Sequence, residues 1–302
     1  MRMRRTTERR AADTQLAADV ESLALGEVIQ VFSRYSEVLC DGATYLASLR
    51  GTVQKLTHMA VVVGDMVRLR PSGRAHESGM PEAVIEHVLP RVTVLVRQDS
   101  FRKDRADPIV ANAQQMLIVS SILLPKVKWG LVDRMLIAAQ SGGLDPIICL
   151  NKMDLAVGNA ELTAETSAIL AHYNALGIRS IECSATSDIG AEELKAALMA
   201  HKTVLAGHSG VGKSSLIRTV APELDIRVGE VSTFNEKGRH TTSSARRYVL
   251  PFGGEVIDTP GIKFFGLVDV TRESLAQFFP DVEAGEAPEW RRESYQRIRE
   301  SL

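Results

Sequence analysis

The chain has 302 residues, of which 45% are hydrophobic and 24% are charged, and its formal net charge is −1. This composition is typical of a globular protein with two or three domains, and it excludes a polycation that binds nucleic acid through its overall charge. The three cysteines lie far apart in the sequence, which argues against a disulfide framework and a cysteine-rich zinc site. Because no apolar run is long enough to span a bilayer and no secretory signal is recognisable, we expect a cytoplasmic protein without a membrane partner.

The first 24 residues carry a local excess of positive charge and little hydrophobic periodicity. The excess lies in residues 1–10, where a single acid, Glu8, accompanies five arginines, which are Arg2, Arg4, Arg5, Arg9 and Arg10. Residues 1–24 are therefore predicted to form a basic flexible arm, which either is simply solvated or binds RNA.

Residues 25–100 consist of short, valine-rich segments separated by turn signals such as Asp41-Gly42 and Pro71-Ser72-Gly73. About five strands at this spacing predict a small all-β barrel. An N-terminal OB-fold fits this length. A small SH3-like barrel has nearly the same pattern and stays an alternative.

From residue 108 to residue 270, buried apolar strands alternate with helical segments. The predicted helices are Val132–Gln140, Thr163–Leu176, Ala191–Met199 and Lys213–Val220. This alternation predicts an α/β domain with a mostly parallel sheet, whose ligands lie at the carboxyl ends of the strands. Residues 271–302 are predicted to be a short helical tail, in whose last helix Tyr295, Ile298 and Leu302 share one face.

One polar loop of this domain matches the phosphate-binding pattern GxxxxGK[ST] and has a predicted strand before it and a predicted helix after it. Glycines allow the backbone N–H groups to wrap the phosphates, and the following helix adds its positive N-terminal end. Lys213 is expected to neutralise the β- and γ-phosphates and to act in catalysis, and Ser214 is expected to ligate Mg²⁺. The predicted nucleotide-binding residues of this P-loop are Gly207, His208, Ser209, Gly210, Val211, Gly212, Lys213, Ser214 and Ser215.

Two further loops indicate that the base of the nucleotide is guanine. Asn151, Lys152 and Asp154 form an NKxD box directly after a predicted strand. The Asp154 carboxylate can accept two N–H bonds from guanine, whereas adenine would leave this charge unpaired. Ser184 and Ala185 follow the next strand, where a backbone N–H can reach guanine O6. Together with the P-loop, these boxes predict a GTP site.

A fourth loop, Asp258–Gly261, ends another apolar strand and has the sequence DTPG. Asp258 is expected to hold Mg²⁺ through a water, and the N–H of Gly261 is expected to approach the γ-phosphate at the hinge of a switch. The polar segment before this strand contains two neighbouring threonines. Thr242 is the preferred Mg²⁺ ligand and Thr241 is the competing choice.

The position after Gly261 is Ile262, where many GTPases have a glutamine that orients the attacking water. Isoleucine cannot orient water, so intrinsic hydrolysis is expected to be slow. His240 is the candidate for this task, since imidazole titrates in the right range. The alternatives are that His240 is an ordinary surface histidine and that a partner supplies the catalytic group.

The order of the boxes along the chain is NKxD, SA, P-loop, GRHTT and DTPG. This order resembles the circularly permuted GTPases, in which the usual order is cut between DxxG and NKxD. The β-barrel in front of the domain and the strings GHSGVGKSSL, GRHTT and DTPGIK resemble the RsgA family, the small ribosomal subunit biogenesis GTPases.

The resemblance implies a GTP hydrolase that requires Mg²⁺, binds the 30S ribosomal subunit with its 16S rRNA, assists late maturation and is stimulated by the particle. It also implies that the barrel touches rRNA, and we expect a monomer. The family usually has a C-terminal zinc knuckle of three cysteines and one histidine. Residues 241–302 contain neither residue type, so no zinc is predicted.

Three other functions remain open. A GTP-binding RNA scaffold with little hydrolysis is compatible with Ile262. A permuted GTPase acting on the large subunit is disfavoured by the barrel, which those relatives lack. A P-loop ATPase or small-molecule kinase is disfavoured by Asp154.

Overall fold

The computed structural model describes residues 21–51, 60–98, 106–187, 189–224, 245–259 and 267–302. The chain divides into two compact units, Met1–Arg91 and Val92–Leu302. Most of the basic arm lies outside the described residues. The same holds for five positions singled out above, which are His240, Thr241, Thr242, Gly261 and Ile262.

The first unit is a closed five-stranded barrel. Its strands are β1 (Ala24–Val31), β2 (Ser36–Cys40), β3 (Ala43–Leu49), β4 (Met66–Ala75) and β5 (Pro81–Val88). The pairing runs β1-β2-β3-β5-β4 and returns from β4 to β1, and the β3–β5 pair is parallel while the others are antiparallel. This closed order is that of the OB-fold, so the OB-fold prediction is confirmed and the SH3-like alternative is wrong.

The core of the barrel follows the period of two that its sequence shows. Val67 and Leu69 on β4 are fully buried, as are Val28 on β1 and Val38 on β2. Because successive side chains of a strand point to opposite faces, alternate apolar residues fill the interior of the barrel.

A buried ion pair joins the loop before β4 to the end of this unit. Asp65 is fully buried, and its carboxylate accepts bonds from Arg91 Nε at 2.7 Å and from Arg91 Nη2 at 2.9 Å. The backbone N–H of Val62 donates to the same carboxylate at 2.8 Å. A bidentate arginine and a backbone donor together satisfy a charge that would otherwise be costly to bury.

Replacing Asp65 by alanine is expected to destabilise the barrel by about 2–4 kcal/mol, because the guanidinium of Arg91 and the N–H of Val62 lose their partner. Urea unfolding followed by circular dichroism, with hydrogen exchange of the barrel amides, measures this loss. Glu77→Ala, which removes an exposed carboxylate from the same unit, is the control and should change little. An Asp65→Ala protein with wild-type exchange rates in β1–β5 would contradict the structural role of the pair.

The second unit contains the α/β part of the chain. Its strands are β6 (Val94–Gln98), β7 (Ala106–Ala111), β8 (Gln115–Ser121), β9 (Asp145–Asn151), β10 (Arg179–Glu182), β11 (Lys202–Ala206), β12 (Arg246–Val249) and β13 (Glu255–Asp258). Its helices are α1 (Trp129–Ser141), α2 (Ala160–Ala175), α3 (Ala191–Leu198), α4 (Lys213–Val220), α5 (Pro280–Glu283) and α6 (Glu289–Ser301). Short 3-10 helices span Met153–Ala156 and Leu275–Phe278. Within these described ranges, no helix combines the length and apolar character needed to cross a membrane.

The main sheet of this unit has the order β10-β9-β8-β11-β13-β12. Its strands are parallel except for β12, which is antiparallel to β13. Leu117, Val119 and Leu205 on the strands pack in one core cluster with Leu194 of α3 and Leu216 of α4. The mostly parallel α/β sheet predicted from the sequence is thus confirmed, and the loops that carry the polar boxes follow β9, β10, β11 and β13.

Strand β6 differs from the sequence prediction, which placed it in the barrel. It pairs antiparallel with β7, and Val94 N donates to the carbonyl of Gly142 at 3.0 Å, while the first unit ends at Arg91. A short valine-rich strand has the same sequence pattern whether it pairs with a barrel strand or with β7. Only the long-range pairing therefore decides which unit the strand belongs to.

The last helix also differs from the sequence prediction in the face that it buries. The expected face contained Tyr295, Ile298 and Leu302, but the buried residues of α6 are Arg291, Ser294 and Ile298. Leu302 is exposed. The arginine is buried because acidic and aromatic residues of other elements surround it, which helical periodicity in α6 cannot reveal.

Arg291 holds α6 through a network of buried charges. Its Nη1 donates to Asp133 on α1, and its Nε donates to Asp281 on α5 at 3.3 Å. Its guanidinium lies 4.1 Å from the ring centroid of Phe279. Tyr173 Oη on α2 donates to Asp133 Oδ1 at 2.6 Å. The C-terminal tail is therefore packed against the α/β unit through ionic contacts as well as apolar ones.

Candidate nucleotide-binding site

The loop between β11 and α4 requires glycine at two places where the chain passes close to its neighbours. A Cβ atom on Gly207, whose φ is +142°, would lie 2.2 Å from the carbonyl oxygen of Val119. A Cβ atom on Gly212, whose φ is +93°, would lie 2.3 Å from Asn151 Nδ2. The loop thus has the backbone conformation and the close approach that a phosphate cradle needs.

The remaining loop residues divide into an anchored part and an open rim. Val211 is buried in the core cluster beneath the loop, while His208, Ser209 and Gly210 are exposed. Ser214 and Ser215 are half-buried in the first turn of α4. A ligand at this loop would meet the exposed rim and the N-terminal end of the helix together.

Lys213 lies folded back against the loop that precedes it. Its Nζ donates to the carbonyl oxygen of Gly207 at 2.7 Å and to that of His208 at 3.4 Å. Burial lowers the pKa of Lys213, and the nearby Asp258 carboxylate opposes this effect. The ammonium group is therefore held at the mouth of the cradle, where it can meet the oxygens of a phosphate chain.

Asp258 ends β13 and is buried. Burial raises the pKa of Asp258, and the Lys213 ammonium lowers it. Its Oδ1 has no hydrogen-bond partner within the described part of the chain. An unsatisfied buried carboxylate oxygen beside the P-loop fits a hydrated divalent cation such as Mg²⁺.

The NKxD box is tied to the P-loop by two side chains. Asn151 Nδ2 donates to the carbonyl oxygen of Val211 at 2.8 Å. Lys152 Nζ donates to the carbonyl oxygen of Gly210 at 2.7 Å. Asn151 and Val211 are 60 residues apart in the sequence. The base-reading loop and the phosphate-binding loop therefore come together in one site.

The loop after β10, which contains Ser184 and Ala185, supports the Asp154 carboxylate of the NKxD box. Ser184 is buried, and its Oγ donates to Asp154 Oδ1 at 2.6 Å. The N–H of Met153 donates to the carbonyl of Cys183 at 3.1 Å. Ala185 follows Ser184 and is half-buried. Asp154 therefore has a fixed orientation and keeps its second oxygen for a ligand.

Sequence reasoning missed one contributor to the site, the segment between β8 and α1. The carbonyl oxygen of Leu124 accepts a bond from Lys152 Nζ, and the carbonyl oxygen of Pro125 accepts one from Ser121 Oγ at 2.7 Å. These contacts use main-chain oxygens, which any residue has, so no motif could have identified them.

The structure brings together every predicted site residue that lies in its described ranges. His240, Thr242 and Gly261 fall outside those ranges, so their roles stay predictions. The arrangement offers a glycine cradle with an ammonium group for phosphates, an unsatisfied carboxylate oxygen for a cation and an oriented carboxylate for a base with N–H donors.

Residues 88–268 match the family model described as RsgA GTPase. The chain belongs to the RsgA family. A relative from Photorhabdus laumondii, named small ribosomal subunit biogenesis GTPase RsgA, is 37% identical over 286 residues, which cover 92% of this chain and 79% of the relative. A relative of the same name from Pseudomonas aeruginosa is 39% identical over 280 residues, which cover 92% of this chain and 76% of the relative.

Two solved structures are similar in fold. YjeQ from Thermotoga maritima is 29% identical, with a TM-score of 0.70 over 92% of this chain and 98% of that one. YloQ, described as a circularly permuted GTPase, is 23% identical, with a TM-score of 0.66 over 93% of this chain and 96% of that one, and at this identity it supports the fold alone. Membership of the RsgA family confirms the predicted GTPase activity, and the structural neighbours confirm the permuted fold.

Replacing Ser184 by alanine is expected to weaken binding of guanine nucleotides about tenfold, because Asp154 loses the hydroxyl that orients it. Dissociation of a fluorescent GDP analogue measures the effect, which should appear mainly in the dissociation rate. Ser187→Ala, an exposed serine of the same loop, is the control. Equal dissociation rates for the two variants would show that the Ser184 hydroxyl does not support the base-reading carboxylate.

Proposed function

We propose that this chain is a ribosome-biogenesis GTPase that binds the 30S subunit, assists its late maturation and hydrolyses GTP to GDP and phosphate under stimulation by the particle. The observation that carries the proposal is that Asn151 and Lys152 of the NKxD box donate hydrogen bonds to the P-loop, so that the two boxes form one site. The same chain also has an OB-fold barrel. The names of its RsgA relatives support the ribosomal assignment.

In this proposal the guanine base is read at the carboxyl ends of β9 and β10. Asp154 accepts the two N–H bonds of the base edge, and the N–H of Ala185 reaches guanine O6. Lys152 packs its stem over the ring, since its ammonium is already bound to the P-loop carbonyl of Gly210. Asn151 keeps the two loops together.

The phosphates lie in the cradle formed by residues 207–215, with Lys213 against the β- and γ-oxygens. Ser214, Thr242 and Asp258 hold Mg²⁺, and the unsatisfied Asp258 oxygen supports that part. Bound Mg²⁺ neutralises charge on the phosphate oxygens. Lys213 leaves the carbonyl of Gly207 to meet this charge as the phosphate chain enters.

Catalysis in this proposal rests on Lys213, on the N–H of Gly261 at the γ-phosphate and on His240, which positions the attacking water. With isoleucine at position 262 the chain has no glutamine for this purpose, so turnover without a partner is slow. A group supplied or ordered by the ribosomal particle is the alternative source of water positioning.

The barrel is proposed as the part that contacts 16S rRNA. Phe32 and Tyr35 in the β1–β2 turn are 43% and 37% exposed, which supports stacking on unpaired bases. Exposed arginines on β4 supply positive charge for the phosphates. The protein acts as a monomer in the cytoplasm, without bound zinc. Residues 1–24 serve as the arm, residues 25–91 as the RNA-binding barrel, residues 108–270 as the GTPase domain and residues 271–302 as the tail.

The test measures GTP turnover by the full chain alone, with purified 30S subunits and with purified 50S subunits. Stimulation by 30S of more than about tenfold, and none by 50S, is expected if the particle completes the active site. Absence of stimulation at saturating 30S favours the second candidate, a GTP-binding RNA scaffold, which Ile262 supports. Stimulation by 50S alone would instead assign the protein to the large subunit.

A further inference from the structure

An open hollow of about 600 Å³ lies beside the base-reading loops of the second unit. Its lining includes Met153, Ala156 and Val157, residues at the start of α2, and Glu182 and Ile189. The lining includes no P-loop residue, so the hollow is separate from the nucleotide cradle.

The rim of this hollow exposes apolar side chains. Val157 is 80% exposed and Ile189 is 40% exposed. Single exposed apolar residues are common on protein surfaces, but two of them lining the same cavity indicate a surface that an apolar group can contact. A partner that fills the hollow must therefore insert an apolar group.

The charge around the hollow is mainly negative. Residues 153–194 carry seven acidic residues, and their single arginine, Arg179, is paired with Glu193 at 3.6 Å. The two lysines that flank this segment are engaged elsewhere, since Lys152 Nζ donates to the carbonyl of Gly210 and Lys195 lies over the ring of Phe252. Glu161 and Glu165 are exposed on α2, and Glu182 lines the hollow itself. Phosphate groups would be repelled here, which disfavours RNA, whereas a cationic partner would be attracted.

We infer that this acidic hollow, the surface formed by Met153, Val157, Ala160, Glu182 and Ile189, is a docking site for a basic protein segment that inserts an aliphatic side chain. The hollow has room for a branched side chain together with the neighbouring part of the inserted segment, and the surrounding carboxylates pair with lysines or arginines on either side of that side chain. Met153 directly precedes Asp154, and Glu182 lies two residues before Ser184, so the docked segment lies against the loops that read the base.

The experiment is a methyl NMR titration of the GDP-bound full chain with three synthetic peptides of equal length. The first alternates lysine with leucine, the second replaces leucine by serine, and the third replaces lysine by glutamate. The lysine–leucine peptide should shift the methyl signals of Val157 and Ile189 saturably, and the other two should bind about tenfold more weakly or not at all. A short single-stranded RNA should leave these signals unchanged.

Variants tie the binding to the hollow. Val157→Glu adds a negative charge and removes the apolar contact. Because the added charge alone would strengthen binding, the expected weakening of the lysine–leucine peptide by about tenfold reports the loss of the apolar contact. Val157→Ile should bind as the unmodified chain does. Val92→Glu, at a valine that is 89% exposed elsewhere in the same unit, is the matched control and should have no effect.

Three results would overturn the inference. The first is the absence of saturable shifts at Val157 and Ile189 at peptide concentrations up to about 1 mM. The second is equal binding of the lysine–serine peptide, which would leave only charge attraction. The third is displacement of these methyl signals by the RNA. None of these results bears on GTP turnover, so the proposed function is tested separately.

Discussion

An Asp154→Asn protein should lose its preference for GTP, with affinity for guanine nucleotides falling about 100- to 1,000-fold. Guanine presents N–H donors at N1 and N2, and a carboxylate accepts both. An asparagine amide has a single oxygen and presents an NH₂ group that meets one of these donors. The Ser184 hydroxyl donates to Asp154 Oδ1, and it can still donate to the asparagine oxygen, which fixes the amide in the unfavourable orientation.

The same variant should accept xanthosine nucleotides better than the unmodified chain does. Xanthine has a carbonyl oxygen where guanine has its 2-amino group, so the asparagine NH₂ can donate to it. Competition of GTP, ATP and the xanthosine triphosphate against a fluorescent GDP analogue measures both changes. Asp145→Asn, at the opposite and exposed end of β9, is the control and should keep the GTP preference. If Asp154→Asn also kept that preference, Asp154 would not read the base.

Replacing Arg291 by methionine is expected to destabilise the second unit by about 3–5 kcal/mol, since breaking a buried ion pair leaves uncompensated charge in the interior. Asp133 and Asp281 are 0% and 4% exposed, and both bond to Arg291. Trp129 and Trp290 lie against Tyr173 at this junction, with ring centroids 5.9 and 5.5 Å away. Urea unfolding followed by tryptophan fluorescence therefore reports the loss locally.

The loss should be largest near neutral pH and should shrink as the pH falls toward about 4. Burial raises the pKa of Asp133 above its ordinary value, while Arg291 lowers it. A carboxyl group with a raised pKa in the folded state binds its proton more tightly there than in the unfolded chain, so acid favours the folded state at this residue. Without Arg291 the pKa of Asp133 rises further, and protonation removes more of the cost of burying it.

Two further variants separate charge from packing at this junction. Arg297→Met, on the exposed face of the same helix, removes only a surface pair with Glu293 at 2.5 Å and should cost less than about 1 kcal/mol. Adding Asp133→Asn and Asp281→Asn to Arg291→Met should recover part of the lost stability, because no buried charge then lacks a partner. A pH-independent loss with no recovery would mean that Arg291 acts through packing alone.

The contrast between the P-loop and α6 shows what could be predicted from the sequence. Gly207 and Gly212 are required by local backbone conformation and by close approach, and such requirements leave a motif with fixed spacing. Arg291 is a charged residue of α6, and the apolar residues of that helix predict a different buried face. Its burial depends on Asp133, which lies 158 residues earlier in the chain. No local pattern carries that information.

The barrel illustrates the same division at the level of topology. Alternating valines indicated short strands, because the period of two is a property of each strand. The choice between an OB-fold and an SH3-like barrel depended on the parallel β3–β5 pairing, and the assignment of Val94–Gln98 depended on its pairing with β7. Strand pairing joins distant segments through main-chain groups common to all residues, so the sequence leaves it open.

By itself, the sequence determined that the chain binds a nucleotide, that the base is guanine and that the boxes occur in permuted order. The first two rest on residues within short loops whose chemistry needs particular side chains at fixed spacing, and the third rests on the order of those loops along the chain. Only the tertiary structure decided that Lys152 binds the P-loop and that Ser184 orients Asp154. It also decided that Arg291 anchors the C-terminal tail through buried ion pairs, and that an apolar hollow lies within an acidic surface. These features are contacts between segments far apart in the chain, and their energies depend on burial, which exists only once the protein has folded.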